Sequence, residues 1–241
     1  MKITNLSKKY ENFHMNWQRE DSFENKIYGI IGANGCGKTT FMKILAGLIP
    51  PDGGSIDYGK LTPRDITMVF RKPYLMQRSV VQNLTYPLTL RGIKPNQEKI
   101  DFYLNLAGLK KLENQYAPSL SSGEQQKLSL IRAFIFSPQV LLIDEAFSNM
   151  DIESVSIFEN YILEIQKEKP ITWFIISHQL SNIKHLCDQV YFLHKGKMEA
   201  CGTVNEVLFQ SENPNLKKFL QYQTLLPYKH HQAESVLTEP L

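Results

Sequence analysis

Four stretches of this 241-residue chain carry residue types and spacings that suit phosphate chemistry. GANGCGKTT, Gly32 to Thr40, fits the pattern G-x-x-x-x-G-K-[ST] in full. Its glycines let backbone N–H groups wrap phosphates, Lys38 reaches the β- and γ-phosphates, and Thr39 supplies a hydroxyl to Mg²⁺. A plain strand-to-helix turn would explain the glycines, but not a lysine and two threonines at the helix start. In VLLIDEAF, four apolar residues deliver Asp144 and Glu145 to the end of a buried strand. The edge beyond the carboxyl ends of parallel strands is where open sheets bind ligands. Two adjacent acids there divide into a metal holder, Asp144, and a water-activating base, Glu145. In WFIISHQL, His178 follows another apolar run, and its convergence on the same edge gives it a phosphate-facing role. The fourth stretch, PSLSSGEQQKLSLIRAF, opens a helix with an S-x-x-E capping box formed by Ser121 and Glu124. Beside Gly123 that helix start is a second anion site, with free N–H groups and the positive dipole end.

These residues need a scaffold, and the hydrophobic pattern supplies one. Residues 2–31 alternate short β-rich runs with polar turns and end in the apolar run Ile27–Ile31. A helix follows the glycine loop, with Phe41, Leu45 and Leu48 on one face, and PPDGG at Pro50 to Gly54 stops it. Ile66 to Phe70 reads as a strand, and from roughly 78 to 136 the character turns helical. There Ile100, Tyr103, Leu104 and Ala107 follow i, i+3, i+4, i+7, with Gly108 as a C-cap. The runs Val140–Ile143 and Ile171–Ile176 suit parallel strands buried on both faces, and 151–166 serves as their crossover helix. QVYFLHKG and KMEACG form a strand and its return, before two short helices that end near residue 222. The tail, residues 223–241, has no periodicity and reads as a loosely held extension, with His230 and His231 solvated.

Composition narrows the function classes. Hydrophobic content of 42% supports a substantial core, and a net charge of +3 with scattered Lys and Arg gives no footprint for nucleic acid. Cys36, Cys187 and Cys201 are odd in number and lack a C-x-x-C pair, which suits a reducing cytosol. The N-terminus MKITNLSKKYENFHMNW has no apolar signal segment, and no run approaches the ~18 apolar residues of a membrane span. Any membrane role is expected through a partner.

The order of glycine loop, helical insert, LSSGE, VLLIDE, SNMD and SH closely resembles the ATP-binding cassette (ABC) transporter ATPases, over about residues 2 to 222. The resemblance implies an α/β fold: a P-loop NTPase core with a mostly parallel sheet, an N-terminal antiparallel β-subdomain and an inserted α-helical subdomain at about 75–136. Residues 1–222 would form the nucleotide-binding domain. Matched residue by residue, Tyr10 stacks on adenine, and Gly32, Ala33, Asn34, Gly35, Cys36, Gly37, Lys38, Thr39 and Thr40 cradle ATP. Thr39 and Asp144 hold Mg²⁺, while Glu145, His178 and Lys38 are catalytic. Ser148 and Asp151 belong to the D-loop. Ser121, Ser122, Gly123 and Glu124 form the signature, which in the family caps the ATP held by a second subunit. Two anion sites per chain then imply a head-to-tail dimer with two ATP molecules sandwiched between its halves.

The same resemblance implies an ATPase subunit that energises an importer from the cytoplasmic face of the membrane, with transmembrane permease subunits and a separate solute-binding protein. RKPYLMQRSVVQNLTYPL and NPNLKKFLQY are most similar to subunits for oxyanions such as tungstate, molybdate or phosphate. A soluble ABC ATPase acting as a regulatory or mechanical switch is the alternative. A small-metabolite kinase needs neither the signature nor the switch histidine. Two positions depart from the family. Ser122 replaces a glycine, so its Cβ is expected to restrict positive φ and phosphate approach. Arg71 stands where the family has the Q-loop glutamine, and a guanidinium cannot ligate a cation. A cation at Arg71 could neutralise charge developing on the γ-phosphate as an arginine finger does. Arg71 is expected instead to turn toward acidic groups on the permease and leave the metal shell to water.

Overall fold

The computed structural model describes residues 1–225. Its strands are β1 (Lys2–Tyr10), β2 (Phe13–Asn16), β3 (Glu20–Ser22), β4 (Ile27–Ile31), β5 (Gly53–Asp57), β6 (Ile66–Val69), β7 (Val140–Asp144), β8 (Thr172–Ile176), β9 (Gln189–His194) and β10 (Lys197–Thr203). Its helices are α1 (Lys38–Leu45), α2 (Val80–Leu90), α3 (Gln97–Leu106), α4 (Ser122–Phe134), α5 (Ile152–Glu168), α6 (Leu180–Leu186), α7 (Val204–Phe209) and α8 (Pro214–Leu225). One sheet runs in the order β3-β1-β2-β10-β9-β4-β8-β7-β6, with β5 also paired to β1. Strands β9, β4, β8, β7 and β6 are mutually parallel. The N-terminal strands pair antiparallel around β1. This is the expected mixed α/β architecture, with α2, α3 and α4 inserted between β6 and β7.

Strand side chains alternate between faces, so each central strand feeds two cores. Leu141, Ile143, Trp173 and Ile175 pack with apolar residues of α2 to α6. Val140, Leu142, Phe174 and Ile176 pack instead with α1 and the N-terminal strands. Asp144 continues the second set, on the face that carries α1. The helix is pinned there by Phe41, whose ring stacks on Trp17 at 4.2 Å and 2°, a contact worth ~0.5–1.5 kcal/mol beyond its burial. The Trp17 indole donates to the buried Asp21 carboxylate at 2.7 Å, and Arg19 pairs with the same carboxylate at 2.9 Å. Asp21 is thereby buried with its charge answered, as a carboxylate in a core requires.

Two boundaries differ from expectation. Helix α1 stops at Leu45, because Ala46 caps it and Gly47 turns the chain at φ +68°. Leu48 therefore leaves the apolar face and is 54% exposed. At the other end α8 continues to Leu225, three residues into the segment read as a loosely held extension. The remaining extension, with His230 and His231, lies outside the described residues.

Candidate active site

Helix α1 begins directly after the glycine loop. Gly37, at φ +108°, is its N-cap and offers no side chain to the first-turn N–H groups. A Cβ at Gly37 would sit 2.8 Å from the Phe13 ring, and one at Gly32 would sit 2.2 Å from the Leu193 carbonyl oxygen. Glycine is demanded at both places by backbone angle and by space. The result is a helix start with unanswered donors and a positive dipole end. Lys38 is only 6% exposed, and its ammonium donates to the carbonyls of Gly32 at 2.7 Å and Ala33 at 3.0 Å. The Cys36 side chain is buried, so this residue serves the loop through its backbone, and its carbonyl accepts from Gly196 N–H at 3.1 Å.

Strand β7 brings the two acids to this loop. The Thr39 hydroxyl donates to Asp144 Oδ2 at 2.8 Å across 105 residues of sequence. Burial pushes the Asp144 carboxyl above its ordinary range, and the Thr39 hydrogen bond opposes that shift. Glu145 leaves the strand in a left-handed conformation, φ +52°. Such a backbone costs ~1–3 kcal/mol at a non-glycine residue and clusters at functional sites. Its N–H still donates to the Ile176 carbonyl at 3.0 Å, so the turn is anchored to β8. The Glu145 carboxylate is buried, and His178 Nε2 holds Oε1 at 2.6 Å.

Arg71 Nη1 lies 3.2 Å from Glu145 Oε2, so in the single chain it faces into the site. The geometry is a charge contact without hydrogen-bond alignment, since Oε2 has no hydrogen-bond partner. The chain after Arg71 is tied down by the fully buried Asn83. Its side chain accepts from Met76 N–H at 2.8 Å and donates to the carbonyls of Met76, Arg78 and Ser79. Gln126 of α4 donates to the Phe70 carbonyl at 3.1 Å, fixing the residue just before Arg71.

A cleft of about 450 Å³ results, walled by the glycine loop, Lys38, Thr39, Thr40, Arg71 and Glu145. Tyr10, half exposed at the end of β1, closes one side of it together with Phe13. Phe13 was not singled out from the sequence. The hairpin register pairs it with Tyr10, and the two-residue turn between them was the signal that could have found it.

Ser121 to Glu124 stand apart from this cleft. The Glu124 carboxylate accepts from Ser121 N–H at 2.8 Å and from its hydroxyl at 2.7 Å, while Ser121 Oγ accepts from Glu124 N–H at 3.3 Å. The capping box is present as read. Ser122 opens α4 and has no positive φ, so the expected backbone penalty at this position does not arise. The tight position is Gly123, where a Cβ would meet the Asn149 carbonyl oxygen at 2.9 Å. Of the residues expected in the D-loop, Ser148 donates to the Glu145 carbonyl at 2.9 Å, and Asp151 caps α5 by accepting from Ser154 N–H at 2.7 Å.

Comparison with known proteins defines the class. The family model described as ABC transporter matches residues 20–148, more than half of the chain. The chain belongs to the ABC transporter family. It is 36% identical over 208 residues to the tungstate uptake system ATP-binding protein of Peptoclostridium acidaminophilum, covering 83% of this chain and 97% of that protein. It is 34% identical over 224 residues to a methionine import ATP-binding protein of Acinetobacter baylyi, covering 86% of this chain but 63% of that protein. The chain thus spans less than two thirds of that methionine-import relative. Among solved structures, an ATP-binding subunit of an ABC transporter superposes with TM-score 0.81 at 22% identity, over 92% of this chain and 98% of that one. A dimeric ATP-binding cassette in a post-hydrolysis state with ADP and Pi gives 0.74 at 22% identity, over 84% and 98%. Both likenesses are of fold.

Proposed function

We propose that this chain is the ATP-binding and hydrolysing subunit of a membrane importer, working as a head-to-tail pair of cassettes. The observation that carries the reading is the buried Glu145 carboxylate, held by His178 at 2.6 Å on the wall of a cleft that also contains the Lys38 loop. The loop N–H groups and Lys38 would bind the β- and γ-phosphates, with adenine against Tyr10. Glu145 would take the proton from the water that attacks the γ-phosphorus, releasing ADP and Pi. His178 would keep the carboxylate aimed, and Ser121 to Glu124 of the second subunit would close over the γ-phosphate.

Thr39 and Asp144 suit a Mg²⁺ ion. They are hard oxygen donors 2.8 Å apart, and a buried carboxylate gains from a cation beside it. Bound there, the ion would neutralise charge on the phosphate oxygens. Arg71, a donor only, cannot share in holding it.

Among the described residues no helix is long and apolar enough to cross a membrane. Contact with the membrane would therefore come through permease subunits, on the cytoplasmic face, with a separate solute-binding protein delivering cargo. The tungstate relative, matched over nearly its whole length, supports an oxyanion as that cargo. The curated relatives reported above carry importer names, which weighs against a free-standing regulatory switch. Reconstitution with its permease in vesicles tests the reading: tungstate uptake should require ATP and disappear in Glu145→Gln. Uptake that persists in that variant would reject it.

A further inference from the structure

We propose that Arg71 is a γ-phosphate-contacting residue that exchanges the Glu145 carboxylate for the phosphate when ATP enters, and so uncovers the base. The inference rests on the nucleotide-site reading above and adds a residue to it.

Geometry puts the guanidinium in reach. A general base works within hydrogen-bond distance of the attacking water, so Glu145 must lie within one water of the γ-phosphorus. Arg71 Nη1 is 3.2 Å from that carboxylate and lines the same cleft as Lys38 and Thr39. Relative strength decides which partner moves. Glu145 is 8% exposed and fixed by His178, whereas the Arg71 side chain is 64% exposed and makes one unaligned contact. An ion pair to so exposed an arginine is weak. A phosphate offers more charge and a bidentate match to the guanidinium plane. Arg71 therefore pivots to the phosphate while Glu145 stays. The oxygen it leaves, Oε2, is the one with no hydrogen-bond partner, and it then becomes free to accept from water. Gln126 holds the Phe70 carbonyl just before Arg71 and Asn83 holds Met76 beyond it, so a rotation of the exposed side chain is the motion invoked. A glutamine here could serve a metal ion but could not supply this charge.

Calorimetric titration with ATP and with ADP, in EDTA to remove divalent cations, separates the contributions. Arg71→Gln should weaken ATP about tenfold, the scale of one hydrogen bond to a charged group. ADP affinity should stay within about twofold of native, by the same scale. Arg71→Lys should retain part of the ATP preference, because the charge remains but the planar fork is lost. In a double-mutant cycle, Arg71→Gln should weaken ATP more in the Glu145→Gln background, where no carboxylate competes for the guanidinium. Equal losses for ATP and ADP, or no loss for either, would overturn the role of Arg71 while leaving the nucleotide site in place. A native chain that binds neither nucleotide would overturn the site and this role together.

Discussion

Helices α1 and α4 both start beside a glycine and a run of small residues, yet their first turns are finished in opposite ways. At α1 the N-cap is Gly37, without a capping side chain, and the N–H groups face a cleft. At α4 the N-cap is Ser121, closed by its own Glu124. The first start needs an anion to complete it. The second answers two of its donors, the N–H groups of Ser121 and Glu124, from within. The contacts around them differ in the same sense. Thr39 reaches Asp144 across 105 residues, whereas Ser121 and Glu124 are three apart. One half of the proposed site is assembled by the whole fold, and the other is a local motif presented outward. That division suits a reaction completed only when two copies meet.

The largest effect is expected on the assembled half. Glu145→Gln should lower ATP turnover by about 10²- to 10⁴-fold, the usual contribution of a general base, with ATP affinity no weaker than native. Phosphate release assays and equilibrium binding check the two statements separately, and native-rate hydrolysis would remove Glu145 from its role. Lys38→Ala should reduce affinity for ATP roughly 10- to 100-fold, by loss of a charge-assisted contact. Its circular dichroism should stay native, because the hydrogen bonds of the Lys38 ammonium are to carbonyls of its own loop. Unchanged binding would mean that α1 is not the phosphate site.

Changes in the local half should act on stability first. Ser121→Ala removes a cap and should destabilise the chain by ~1 kcal/mol, read as a lower urea midpoint. Nucleotide binding by the single subunit should remain native. If binding fell as well, the two halves would not be separable within one chain. The smallest effect is a pH dependence. The Ser121 hydroxyl and N–H hold the Glu124 carboxyl below its ordinary range. Its contribution is fully present above the unfolded value near 4.3 and is lost as pH falls through the lower folded value. Glu124→Gln should flatten the stability curve in that acidic window and lower stability slightly near neutrality, where the carboxylate's contribution is fully present.

What the residues declared by themselves was local or periodic. The glycine loop, the capping box at Ser121, the buried strands around Val140 and Thr172 and the crossover between them all follow from short-range steric and hydrophobic rules. They can be read along the chain. The alternation of β7 even places Asp144 and Ile143 on opposite faces before any fold is known. The tertiary structure decided the rest. Arg71 meets Glu145 only because β6 and β7 are neighbours in the sheet. His178 reaches the same carboxylate because β8 lies on the other side of β7. Phe13 joins Tyr10 through a hairpin register, and Asn83 and Gln126 set where the chain around Arg71 can go. A side chain's charge is a property of its residue, but the partner that charge finds depends on strand order and register. Arg71 was therefore visible as an exception in the sequence, while its place against the Glu145 carboxylate came from packing.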